Sequence, residues 1–114
     1  MHTDIKEGLV ADKRVDGQLR RLAGLIVEKF SPSRIYLHGS YARGDYHEGS
    51  DVDLVVVGPF RERFIDRIGR ILELNDTELE IEPMAYTEEE FSRMEKRNNP
   101  FIDNVKKGIL VYSA

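Results

Sequence analysis

The sequence predicts an α/β (α+β) domain in which amphipathic helices pack against a sheet. Three observations lead there. From Val15, apolar residues recur at Leu19, Leu22, Ile26 and Phe30, with Ala23 and Val27 beside them, which is the spacing of one helix face. Residues 54–57 form a continuous apolar run bounded by Gly58-Pro59, the pattern of a strand covered on both sides. Between these two lies a polar, glycine-bearing stretch too hydrophilic for a core, which places a loop-built site between two strands.

The elements follow in order. Residues 1–13 are polar and without periodicity, so they are expected to form a loosely held, flexible arm ahead of the first helix. Ser31-Pro32-Ser33 ends that helix, because proline disfavours helical angles in the residue before it. Ile35-Tyr36-Leu37 is a short buried strand. A turn through Gly39-Ser40 leads into a short helical segment over residues 41–43 that stops at Gly44. A polar loop through Gly49-Ser50 precedes a second strand that begins at Asp51-Val52-Asp53 and runs into mid-sheet.

Phe60, Phe64, Ile68, Ile71 and Leu72 form the next helical stripe, ending near Asn75-Asp76. Leu79-Glu80-Ile81-Glu82 alternates and continues to Tyr86 as a third strand, where Pro83 calls for an edge or a bulge. Thr87 followed by Glu88-Glu89-Glu90 is a capping box with an acidic first turn, and Phe91 and Met94 are its buried side. Asn98-Asn99-Pro100 breaks that helix. One more short helix covers residues 101–107, and Gly108 is expected to stop it in a left-handed conformation. Residues 109–112 are a last strand or an apolar tail.

Composition bounds the function. A chain of 114 residues is one domain, and 40% hydrophobic with 33% charged residues suits a folded one. A net charge of -4 excludes the broadly basic surface of a nonspecific nucleic-acid binder, so direct nucleic-acid binding is not expected. The absence of cysteine excludes disulfides and thiolate metal sites. There is no apolar run of membrane-spanning length, and Met1-His2-Thr3-Asp4 has no signal-peptide core, so the expected location is cytoplasmic, with no membrane partner.

The chemistry concentrates in residues 37–57, LHGSYARGDYHEGSDVDLVVV. Side chains two apart on a strand share a face, with Cα atoms about 6.5–7 Å apart, so Asp51 and Asp53 can converge on shared cations while Val52 enters the core. Hard cations such as magnesium take a few carboxylates together with phosphate oxygens. Gly39 permits close backbone approach, and Ser40 offers a hydroxyl and an amide at a helix start, where anions are attracted. Arg43, one turn on, can reach a phosphate or pair with Asp45 or Glu48.

Gly39-Ser40, the intervening loop and Asp51-Val52-Asp53 resemble the signature of the DNA polymerase β-like nucleotidyltransferase superfamily. The string GSYARGDYHEGSDVDLVVV is similar to its minimal nucleotidyltransferases. The resemblance implies a small mixed β-sheet with helices packed against it and the polymerase β-like nucleotidyltransferase fold. It implies transfer of a nucleoside monophosphate, expected to be AMP from ATP, to an acceptor hydroxyl with two Mg²⁺ ions. Gly39 and Ser40 would hold the phosphates, with Arg43 near them, and Asp51 and Asp53 would bind both metals. A third catalytic, metal-binding carboxylate on a later strand falls on Glu82, with Glu80 as the alternative.

Some members of that family are antitoxins that adenylylate a tyrosine of a helical HEPN-type ribonuclease. The short chain leaves little beyond the third strand to grip an acceptor. A partner of that kind, a second copy of the chain, or both is therefore expected to complete the cleft. The alternative is an inactive antitoxin or interaction module that keeps the fold. His38 and His47 lack the ligand spacing of a zinc centre and are expected as a strand-end and a loop side chain. Arg63, Arg67 and Arg70 are expected to form a solvated helix face.

Overall fold

The structure is a computed structural model that describes residues 4–114. Its elements run α1 (Lys13–Phe30), β1 (Arg34–His38), α2 (Gly39–Arg43), β2 (Val52–Val57), α3 (Phe64–Leu74), β3 (Ile81–Tyr86), α4 (Glu88–Lys96), α5 (Pro100–Lys106) and β4 (Ile109–Ser113). The strands make one four-stranded mixed sheet in the order β3-β2-β1-β4. β1 is antiparallel to β2 and to β4, whereas β2 and β3 are parallel. Residues 109–112 therefore belong to a strand. Pro83 sits on the edge strand β3, where its missing N–H costs no ladder bond.

Alternation along the strands divides the core in two. Ile35, Leu37, Leu54 and Val56 face one side, where Leu19, Leu22 and Ile26 of α1 and Ile71 of α3 bury against them. Tyr36, Val55 and Val57 face the other, where Phe91 of α4 and Ile102 and Val105 of α5 cover them. Two-sided cover is why β2 is apolar without a break after Asp53. Thr87 caps α4 through the expected box, its hydroxyl accepting from the Glu90 amide at 3.1 Å and its own amide donating to the Glu90 carboxylate at 2.8 Å.

Four expectations are corrected. The segment ahead of α1 is not a loose arm. Residues 1–3 lie outside the described residues, but Ile5, Leu9 and Val10 are buried in the first core. The Lys6 amide donates to Val111 of β4 at 3.0 Å, and the amides of Leu9 and Val10 both donate to the Asp16 carboxylate. Arg67 is not solvated: it is 6% exposed, and its guanidinium donates to Glu90 at 2.6 Å and to the carbonyls of Glu62 and Ala85. The true inner face of α3 carries Arg67 and Ile71, and Leu72 turns outward.

Gly108 is absent from the positive-φ glycines, so a left-handed stop is not its reason. A Cβ there would overlap the Leu37 carbonyl oxygen and stand 3.2 Å from His38 Cα. Glycine lets the chain pass against β1 as it enters β4.

Candidate active site

The sheet register gathers the predicted residues at one end. Asp53, near the start of β2, lies directly across from His38 of β1 on one side and Glu82 of β3 on the other. Neighbouring strands stand about 4.8 Å apart, so Asp53 and Glu82 are lateral neighbours. Because Asp53 alternates with Val55 and Val57, it shares their face of the sheet, the one covered by α4 and α5. Val52 is buried on the opposite side, as its place between two aspartates predicts.

Gly39 begins α2 immediately beyond β1. Its φ of +72° is a left-handed angle, and a Cβ there would collide with the Asp53 carboxylate, standing 3.1 Å from Cγ. The turn and the carboxylate are thus packed against each other, and only glycine permits both the angle and the approach. α2 is a single turn closed by Gly44 at φ +86°, whose amide donates to the Ser40 carbonyl at 2.9 Å. Ser40 is half-buried beside this turn.

Negative charge is concentrated here. The Glu82 carboxyl is pushed above the ordinary glutamate range by hydrogen bonding with Asp53 and by the negative charges of Asp51 and Asp53. Three neighbouring carboxylates that repel one another supply hard oxygen donors and a charge deficit that a divalent cation would relieve. The donor set fits magnesium. Among the described residues, no group of three or more His, Asp or Glu side chains is already drawn in to metal-ligand spacing. Asp51 and Glu82 are exposed. Glu80 lies outside β3, its carbonyl accepting from the Val52 amide at 2.8 Å, and its carboxylate is not among the groups that raise Glu82.

The surroundings shape access. His38 meets Phe101 of α5 edge to face at 5.4 Å, and burial lowers its pKa against the pull of the Asp53 charge. Arg43 is engaged by Asp45 at 3.2 Å in a bridge exposed on both sides, a weak contact that does not fix it at the turn.

One feature of the loop escaped the sequence reading. Tyr46 stacks on Tyr41 of α2 at 4.3 Å, and the His47 amide donates to the Ser50 hydroxyl at 3.0 Å, which ties down the loop delivering Asp51. The paired tyrosines five residues apart, on either side of Gly44, are the available signal. His47 is an exposed loop residue whose ring contacts the Glu48 carbonyl at 2.8 Å.

Comparison with known proteins agrees with this geometry. A family model described as a nucleotidyltransferase domain matches residues 19–111, which span β1 to β3, the start of β4 and the carboxylates Asp51, Asp53 and Glu82. A crystal structure from Sulfolobus solfataricus, described as a "putative nucleotidyltransferase", superposes with a TM-score of 0.55 over 88% of this chain and 86% of that one. At 24% identity that likeness speaks to the fold. A chain of Methanocaldococcus jannaschii named "Putative protein adenylyltransferase" is 64% identical over 25 residues, which are 22% of this chain. The match spans 25% of that curated relative's length.

Proposed function

The chain belongs to the nucleotidyltransferase domain family, and from that premise we propose that it transfers AMP from ATP to a hydroxyl of a protein acceptor. The observation that carries the reading is the register of Asp53 against Glu82, with Asp51 adding its charge, beside the Gly39-Ser40 turn. The adenylyltransferase name of the short relative supports AMP and a protein acceptor. The resemblance to minimal nucleotidyltransferases supports a tyrosine of a helical HEPN-type toxin as that acceptor, which makes the chain an antitoxin.

In this reading Gly39 and Ser40 hold the triphosphate through backbone amides and the serine hydroxyl. Arg43 joins them when it releases Asp45. Asp51, Asp53 and Glu82 would hold two magnesium ions, which neutralise phosphate charge and acidify the acceptor hydroxyl when bound. The acceptor oxygen attacks the α-phosphorus as its proton passes to the Glu82 carboxylate. The bond from the α-phosphorus to the bridging oxygen breaks, and pyrophosphate leaves with the electron pair. Glu82 lies on the edge strand and is exposed, which supports its access to a docked acceptor.

The test is transfer of label from ATP carrying ³²P at the α position to a tyrosine-bearing HEPN-type protein, with magnesium. Label on tyrosine that is lost with Asp51→Asn supports the proposal. Binding of ATP without any transfer would make the chain a non-catalytic module.

A further inference from the structure

α3 presents an apolar face that nothing among the described residues covers. Ile65 is 66% exposed and Leu72 46%, the two large apolar side chains left exposed among the described residues. They stand seven positions apart and therefore on one stripe, with half-buried Ile68 along its inner margin. Gly69 lies between them. A glycine inside a helix weakens it relative to alanine, yet a Cβ at Gly69 would meet nothing within 4 Å. Among the described residues, no neighbour requires a glycine there. A notch flanked by two exposed aliphatic side chains is what a closely approaching second helix uses.

The charges around the stripe identify that helix. Arg61, ahead of the stripe, and Glu73, at its far end, are both exposed, and neither side chain has an ionic partner among the described residues. The stripe is thus basic at one end and acidic at the other. Two copies laid antiparallel, with Ile65 of each against Leu72 of the other, bring Ile68 of each over Gly69 of the other. The same arrangement turns the Arg61 end of each copy toward Glu73 of the other; Arg61 precedes α3, and Asp76 beyond it is already held by Arg21. One surface satisfies itself twice, as a two-fold interface requires.

We propose that α3 is the contact surface of a homodimer, in which a second copy of this chain docks antiparallel across Gly69. The surface lies on the α1-and-α3 side of the sheet, whereas the carboxylates face α4 and α5, so pairing leaves both candidate active sites open. A partner protein can then dock at each site without displacing the other copy.

Sedimentation velocity of the whole chain over a range of concentrations tests this. The expected result is a particle of twice the 13.2 kDa chain mass. Leu72→Glu should weaken self-association by at least about tenfold, because a charge would be desolvated at the contact centre. Gly69→Gln separates a lost contact from a lost fold: it should raise the melting temperature by improving the helix while abolishing the dimer. Arg61→Glu and Glu73→Lys should each weaken the dimer, and the two together should restore it. A monomeric wild-type chain, or a dimer indifferent to Leu72→Glu and Gly69→Gln, would overturn the proposal.

Discussion

Gly39 and Asp53 claim the same space. The Cα of Gly39 faces the Asp53 carboxylate so directly that a Cβ would collide with it, and the glycine's φ of +72° is itself closed to most side chains. The turn proposed to hold phosphate and the carboxylate proposed to hold metal are therefore placed by one contact. Gly39→Ala should cost about 1–2 kcal/mol of stability from backbone strain and lower transfer on the order of 100-fold through displaced carboxylate geometry. Chemical denaturation and single-turnover labelling, done on the same preparation, check both.

Glu82 and Glu80 make a discriminating pair. Glu82 lies opposite Asp53 and feels its charge, whereas Glu80 precedes the strand and spends its carbonyl on Val52. Glu82→Gln should reduce transfer on the order of 100-fold, the scale for one charged group acting at a transition state, while Glu80→Gln stays near wild type. Equal losses in the two variants would misplace the third carboxylate.

Arg67 is the buried charged side chain among the described residues, and Glu90 is its partner at 2.6 Å. Burial works to raise the Glu90 carboxyl, but the bonds from Arg67 and from the Thr87 amide outweigh it and hold the carboxyl below the ordinary range. Stability from this group is therefore complete above the ordinary glutamate pKa and is lost as pH falls through the depressed folded value. Glu90→Gln should cost about 2–3 kcal/mol near neutral pH by leaving Arg67 buried and unpaired. The same variant should flatten the acid limb of a plot of melting temperature against pH.

The segment before α1 is part of the core. Leu9 packs in the cluster formed by α1, α3 and the sheet, and its amide is held by Asp16 at 2.6 Å. Leu9→Ala should cost about 2–3 kcal/mol, as for other buried leucines, measured as a shift in denaturation midpoint at constant slope.

The readable parts of this chain were those in which local pattern and tertiary role coincide. Leu54 to Val57 is apolar at every position because β2 is covered twice, and Thr87 with Glu90 marks α4 because the cap is a local hydrogen-bond exchange. The residues that misled owe their roles to distant neighbours. Ile5, Leu9 and Val10 carry no period, since they pack as a strap across the first core and not as a helix or strand. The charge of Arg67 points to solvent, and the carboxylate that permits its burial lies 23 residues on. Gly108 owes its place to the Leu37 carbonyl and not to its own dihedral. In the site, spacing marked Asp51 and Asp53, but choosing Glu82 over Glu80 required the register of β3 against β2.

The most direct test of the account is a calorimetric titration of the folded chain with ATP, with and without Mg²⁺, beside an Asp51→Asn/Asp53→Asn variant of verified fold. The expected result is Mg²⁺-dependent binding that the double variant loses. ATP binding that is indifferent to both the metal and the variant, or no binding by the wild-type chain, would contradict it.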